Sequence, residues 1–144
     1  MDGFKITLFE KDQTGSFPKF TSLSEAECRE LVRSISERFE IDTANFEEEL
    51  TQKQSFYDGS NAEDRFGLID TLNSLKIRPL SKIFINWSRW SELNIDVFDI
   101  KDLDKYFGDI WFPSSDDIDL FDESSTWIVS IRHDGCVSYK LLTP

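Results

Sequence analysis

Hydrophobic and polar positions change period about midway along this chain of 144 residues. Up to Leu75 the spacing is mostly helical, and from Pro79 onward it is two, the repeat of a strand with one face buried. The clearest helix opens at Ser24-Glu25-Ala26-Glu27, a capping box in which serine and glutamate satisfy each other's backbone N–H groups. Cys28, Leu31, Val32, Ile35 and Phe39 then recur at three- and four-residue steps, with Glu25, Glu30, Arg33 and Glu37 on the other side. A weaker helix is expected from Thr43 through Phe46 and Leu50. Another starts at Asn61, with Phe66, Ile69, Leu72 and Leu75 as its apolar stripe. Near the start, Phe4-Lys5-Ile6-Thr7-Leu8-Phe9 alternates apolar and polar and predicts a strand, broken by residues 15–18.

In the second half, Ile83, Ile85 and Trp87 share one face of an expected strand, and Leu93, Ile95 and Val97 alternate with Asn94, Asp96 and Phe98 in the next. A short helix follows, capped by Asp99 with Asp102 repeating the capping-box logic. Ile100, Leu103 and Phe107 form its buried side and Gly108 is its left-handed terminator. Residues 117–122, 126–133 and 136–142 read as three closing strands. Asp134-Gly135 predicts a two-residue hairpin turn that sets Arg132 opposite Val137, Ser130 opposite Tyr139 and Ile128 opposite Leu141. Trp127, Val129 and Ile131 then join Ile118 and Leu120 in the core, leaving Asp117, Asp119, Phe121 and Tyr139 on the other face. Ser138 and Lys140 conflict with that register, because they too fall on the core side.

Helices first and strands after predict one α+β domain over residues 1–144, a mainly antiparallel sheet with helices packed on one face. The other face is either covered by a second set of helices or open to a partner.

Thirteen Phe and four Trp concentrate the apolar content in large side chains, which favours a packed core despite a net charge of −12. That charge repels nucleic-acid backbones and anionic lipid, so neither is an expected partner. No apolar run approaches the roughly 18–20 residues needed to span a bilayer, and no signal pattern opens the chain, so it reads as cytoplasmic. Cys28 and Cys136 stand alone, without the spacing of a metal set or a disulfide framework, and are expected reduced.

The charge is uneven. Residues 92–123 hold 11 acids against Lys101 and Lys105, threaded with Phe98, Tyr106, Phe107, Trp111, Phe112 and Phe121. Concentrated carboxylate beside aromatics fits a surface for a basic partner better than a catalytic centre. The cluster Asp116, Asp117, Asp119, Asp122 and Glu123 fails the Ca²⁺-loop template, since Asp122 stands where Gly is needed and Ile128 where a bidentate Glu is needed. His133 beside Asp134 sits at a hairpin turn, without the enclosed pocket that tunes an acid/base pair. Trp87-Ser88-Arg89-Trp90 divides into Trp87 as core and Trp90 as either a turn lid or an anchor. No catalytic motif, cofactor or metal is expected.

From Trp111-Phe112-Pro113-Ser114-Ser115-Asp116-Asp117-Ile118-Asp119-Leu120-Phe121-Asp122 through Trp127 to His133-Asp134-Gly135, the chain resembles the immunity proteins of contact-dependent growth inhibition. It lacks the Gly-rich strand-end pattern of the large immunity superfamily related to yeast cell-wall regulators, which leaves the subfamily open. The resemblance implies a cytoplasmic inhibitor of a cognate toxin, often a basic nuclease. On that reading Asp96, Asp109, Asp116, Asp117, Asp119 and Asp122 supply the electrostatic contact, Trp111, Phe121 and Tyr139 the anchors, and Asp99 and Asp102 are caps. The alternative is an acidic adaptor that mimics nucleic acid toward a basic DNA- or RNA-binding protein; a carboxylate-metal hydrolase ranks third.

Overall fold

A computed structural model describes residues 1–12, 15–59, 61–64, 66–87 and 93–142. Among them seven strands form one antiparallel sheet. They are β1 (Phe20–Ser22), β2 (Ser55–Tyr57), β3 (Lys82–Asn86), β4 (Ile95–Asp99), β5 (Ile118–Phe121), β6 (Trp127–Ile131) and β7 (Val137–Leu141), in the order β1-β4-β3-β5-β6-β7-β2. Six helices accompany them: α1 (Gly3–Asp12), α2 (Glu25–Phe39), α3 (Phe46–Lys53), α4 (Leu68–Ser74), α5 (Ile100–Lys105) and α6 (Phe107–Ile110). The α+β class, with helices crowding the first half and strands the second, is the one that the change of period predicts.

Both faces of the sheet carry helices. On the first, Phe9, Leu68, Leu72, Leu103, Phe107 and Ile110 pack on Ile83, Ile85, Phe98, Ile118, Leu120, Trp127, Val129 and Ile131. On the second, Cys28, Val32, Ile35 and Phe39 of α2 and Phe46 and Leu50 of α3 cover Phe84, Ile95, Phe121 and Ile128. The second layer follows from the central strands, because β5 and β6 are buried at every residue and burial on both sides requires cover on both sides. The capping box of α2 is present: the Ser24 hydroxyl accepts from the Glu27 N–H and Glu27 accepts from the Ser24 N–H. At the other end of α2, the Lys53 ammonium donates to the carbonyls of Phe39 and Glu40, which lack partners within the helix.

The segment expected as a first strand is helix α1. Asp2 caps it by accepting from the Phe4 N–H at 2.9 Å, and its buried positions, Lys5 and Phe9, are four residues apart. Alternation misled because Lys5 counts as polar yet is an interior residue. The helix expected from Asn61 begins only at Leu68, since Asn61 folds its side chain over a turn to accept from the Glu63 N–H and the Ala62 N–H bonds to the Gly135 carbonyl. Gly108 lies inside α6 and ends no helix; Asp99 caps α5 as expected, accepting from the Lys101 N–H at 2.9 Å.

The last hairpin differs from its sequence expectation by one residue. His133, Asp134 and Gly135 form a three-residue loop closed by Arg132 N–H to Cys136 O, with Gly135 at φ 86°. This is a turn followed by a left-handed bulge residue, a position suited to glycine. A Cβ at Gly135 would meet the Asn61 Oδ1 at 1.9 Å, so the neighbouring loop imposes the same choice. Ile131 therefore pairs with Val137, Ser130 with Ser138 and Val129 with Tyr139. One residue of slip turns every β7 side chain over. Val137, Tyr139 and Leu141 join the first core, Ser138 and Lys140 leave it, and the conflict in the expected register disappears.

Candidate functional site

The carboxylates expected to form one acidic surface divide between the two faces of the sheet, and three of them are interior. Asp96 is fully buried and accepts from the Met1 ammonium at 2.8 Å, the Ser22 hydroxyl at 2.6 Å and the Trp87 indole at 2.8 Å. Asp122 is also fully buried, on the backbone N–H of Leu80 and Ser124, the Ser124 hydroxyl and the Trp127 indole, each of which donates to it. Asp119, on the opposite face, receives the Ser130 hydroxyl and lies 3.5 Å from the Arg132 guanidinium; Gln54 donates in turn to Ser130 at 2.7 Å.

Asp116 is half-buried and belongs to the attachment of α1. It pairs with the Lys5 ammonium and accepts from the Phe112 N–H, while Lys5 also donates to the Ile110 carbonyl at 2.7 Å and lies 3.9 Å from the centre of the Phe112 ring. Asp109 is half-buried on α6. Of the expected anchors, Trp111 is buried, stacks on Phe107 at 5.8 Å and donates to the Asp116 carbonyl. Phe121 is fully buried against Phe84, and Tyr139 is half-buried on the first core. In these positions Trp111, Phe121, Asp96, Asp119 and Asp122 are buried. Acid density along the chain carried no information about direction, and alternate strand residues point to opposite faces.

Asp117 accepts from both the His133 N–H, at 2.7 Å, and the His133 ring, at 3.0 Å, so the histidine pairs across the hairpin rather than with Asp134. Burial by itself raises the Asp117 carboxyl, but the His133 N–H and ring with the nearby Arg132 outweigh it and hold it below the ordinary aspartate range. Asp134, exposed in the turn, is lowered by the Cys136 N–H that it accepts. A folded carboxyl with a depressed pKa contributes its stabilisation above the unfolded value, near about 4, and loses it as pH falls through the lower folded value. The His133 and Cys136 amide resonances are therefore expected to titrate with midpoints below about 4 in an NMR series. Midpoints at or above that value would show that the two caps do not hold in solution.

The Cys136 thiol is raised by its hydrogen bond to Asp134, by burial, and by the charges of Asp134 and Glu63, so it is not poised as a nucleophile. Among the described residues no three His, Cys, Asp or Glu side chains converge as a metal set. Sequence reasoning missed three polar positions, two of them buried. Lys5 is one. Asp104 accepts from the Ile69 N–H and so caps α4 from α5. Asn86 is fully buried beside Asp119 in the β3–β5 register, and its side chain has no hydrogen-bond partner among the described residues. Only Asp104 had a visible signal, as an acid on a short helix that needed no further cap. Trp90 and Glu92 lie outside the described residues.

Comparison with family models, curated proteins and solved structures gave no match. Function therefore rests on the surface. Only Asp96, Asp119 and Asp122 among the described acids, and Lys5 among the described bases, are buried. The exterior accordingly stays close to the chain's net charge of −12. Arg29 and Arg33 are already paired with Glu25, Glu30 and Glu37 along α2. Glu40, Asp42 and Glu48 face solvent near α3, and Asp58, Glu63, Asp64 and Asp134 do so where the loop after β2 meets the β6–β7 turn. No helix among the described residues is long and apolar enough to cross a membrane.

Proposed function

We propose that this chain is a binding protein, not an enzyme, and that it neutralises a basic partner in the manner of a toxin immunity protein, with a nuclease toxin domain in the cytoplasm as the expected target. The observation that carries this reading is the outer surface: internalising three carboxylates and one lysine leaves a strongly acidic exterior on a helix-covered sheet. A surface of one sign steers an oppositely charged protein and raises association rates by roughly 10–10³-fold at low salt. Half-buried Asp109, Asp117 and Tyr139 keep a place in that surface; the buried aspartates and aromatics support it from behind.

The test is affinity capture from the native host, followed by expression of the captured protein with and without this chain. A basic protein that arrests growth alone and is tolerated in co-expression is the expected result. Capture of acidic or neutral proteins only, or arrest unrelieved by the chain, overturns the proposal. Charge reversal at Asp119 is a poor probe of the contact, since that carboxylate is interior and its loss would be read as lost stability.

A further inference from the structure

The two open edges of the sheet are unlike. Lys19 directly precedes β1 and, with Phe17, Phe20, Val97 and Lys82 of β3, lines an open groove of about 630 Å³. Lysine at an edge is a common guard against strand addition. At the other edge, β2 pairs with β7 alone, has no charged residue within Ser55–Tyr57, and presents Phe56 at its centre with 71% of its surface exposed. β2 is protected by its length of three residues and not by charge, and it carries a bare phenylalanine.

Four exposed acids, Asp58, Glu63, Asp64 and Asp134, stand near this edge, and Lys140 of β7 shares the face of Phe56. Asp58 follows the strand directly. The loop after it returns to the β6–β7 turn, where Ala62 N–H bonds to Gly135 O at 2.9 Å and the Asn61 amide donates to Asp134 O at 3.3 Å, which brings Glu63 beside Asp134.

We propose that the β2 edge is where the basic partner docks, adding an extended segment whose main chain pairs with β2, whose apolar side chains cover Phe56 and whose lysines or arginines meet Asp58, Glu63 and Asp134. The proposal rests on the reading of a basic partner and specifies its place. A second copy of this chain is a poorer occupant, since edge-to-edge pairing of two copies would crowd these acids together.

The probe is a synthetic peptide of alternating lysine and valine, with a glutamate–valine peptide as control, titrated into the ¹⁵N-labelled protein. The lysine peptide is expected to shift the amides of residues 55–58, to bind at least about tenfold more weakly to Phe56→Ala, and to weaken with salt, while the glutamate peptide does not bind. Phe56→Ala should leave the melting temperature nearly unchanged, because the ring it removes is exposed. Binding that shifts α2 and α3 instead and ignores Phe56→Ala overturns the edge but leaves the basic-partner reading standing. If neither the lysine peptide nor any basic protein captured from the host binds, both readings fall. A dimer of the chain alone that Phe56→Ala dissociates would give the edge to a second copy and overturn the proposal.

Discussion

Asp122→Ala is expected to lower the free energy of unfolding by about 3–5 kcal/mol, because it deletes a charged acceptor whose hydrogen bonds contribute about 1.5–3 kcal/mol each. The mutation removes the acceptor of four hydrogen bonds at once, from Leu80 N–H, Ser124 N–H, the Ser124 hydroxyl and the Trp127 indole. One of those donors stays inside: the Trp127 indole, on a residue only 2% exposed, is left without its acceptor. A buried donor left without a partner costs about 1–3 kcal/mol. The carboxylate also joins three parts of the chain, the approach to β3, the β5–β6 turn and the core indole, so the loss should be cooperative. Urea denaturation followed by circular dichroism reads the change, with Asp122→Asn intermediate because an amide oxygen retains part of the accepting capacity. A loss under about 1 kcal/mol for the alanine variant would mean that water reaches these donors and that the carboxylate is not the joint described.

Phe121→Ala should cost about 3–5 kcal/mol, the range for phenylalanine truncated in a packed interior. Phe121 is fully buried in the second core, edge-on to Phe84 at 5.3 Å, under the helices α2 and α3. The variant separates the two roles that the sequence leaves open for this ring. A core residue lowers stability and, in the fraction that stays folded at low temperature, leaves partner affinity unchanged. An anchor would lose affinity without loss of stability. The second pattern would require that α2 and α3 lift away from the sheet when a partner binds.

Much of the secondary structure was legible because it depends on neighbours close in sequence. The capping box at Ser24, the apolar stripe of α2, the Asp99 cap and the strands around Ile83 and Ile95 are all local matches of side chain to backbone. Errors arose where a distant contact replaced a local one. α1 looked like a strand because its interior lysine finds its partners at Ile110 and Asp116, more than a hundred residues away. The helix expected at Asn61 gives way to a turn because Gly135 offers a carbonyl to the Ala62 N–H. Part of the candidate surface turns inward for the same reason: Asp96, Asp119 and Asp122 look alike in sequence, and each is taken inside by donors from other strands and loops.

By itself the sequence determined the α+β class, the order of most elements and a net charge of −12, since propensity, capping and period are short-range and charge is additive. Which carboxylates remain outside, which face each strand residue takes, and how the last hairpin is registered were decided only by the tertiary structure. The physical reason is that one residue of slip, or one donor supplied from across the sheet, reverses inside and outside while the composition stays the same.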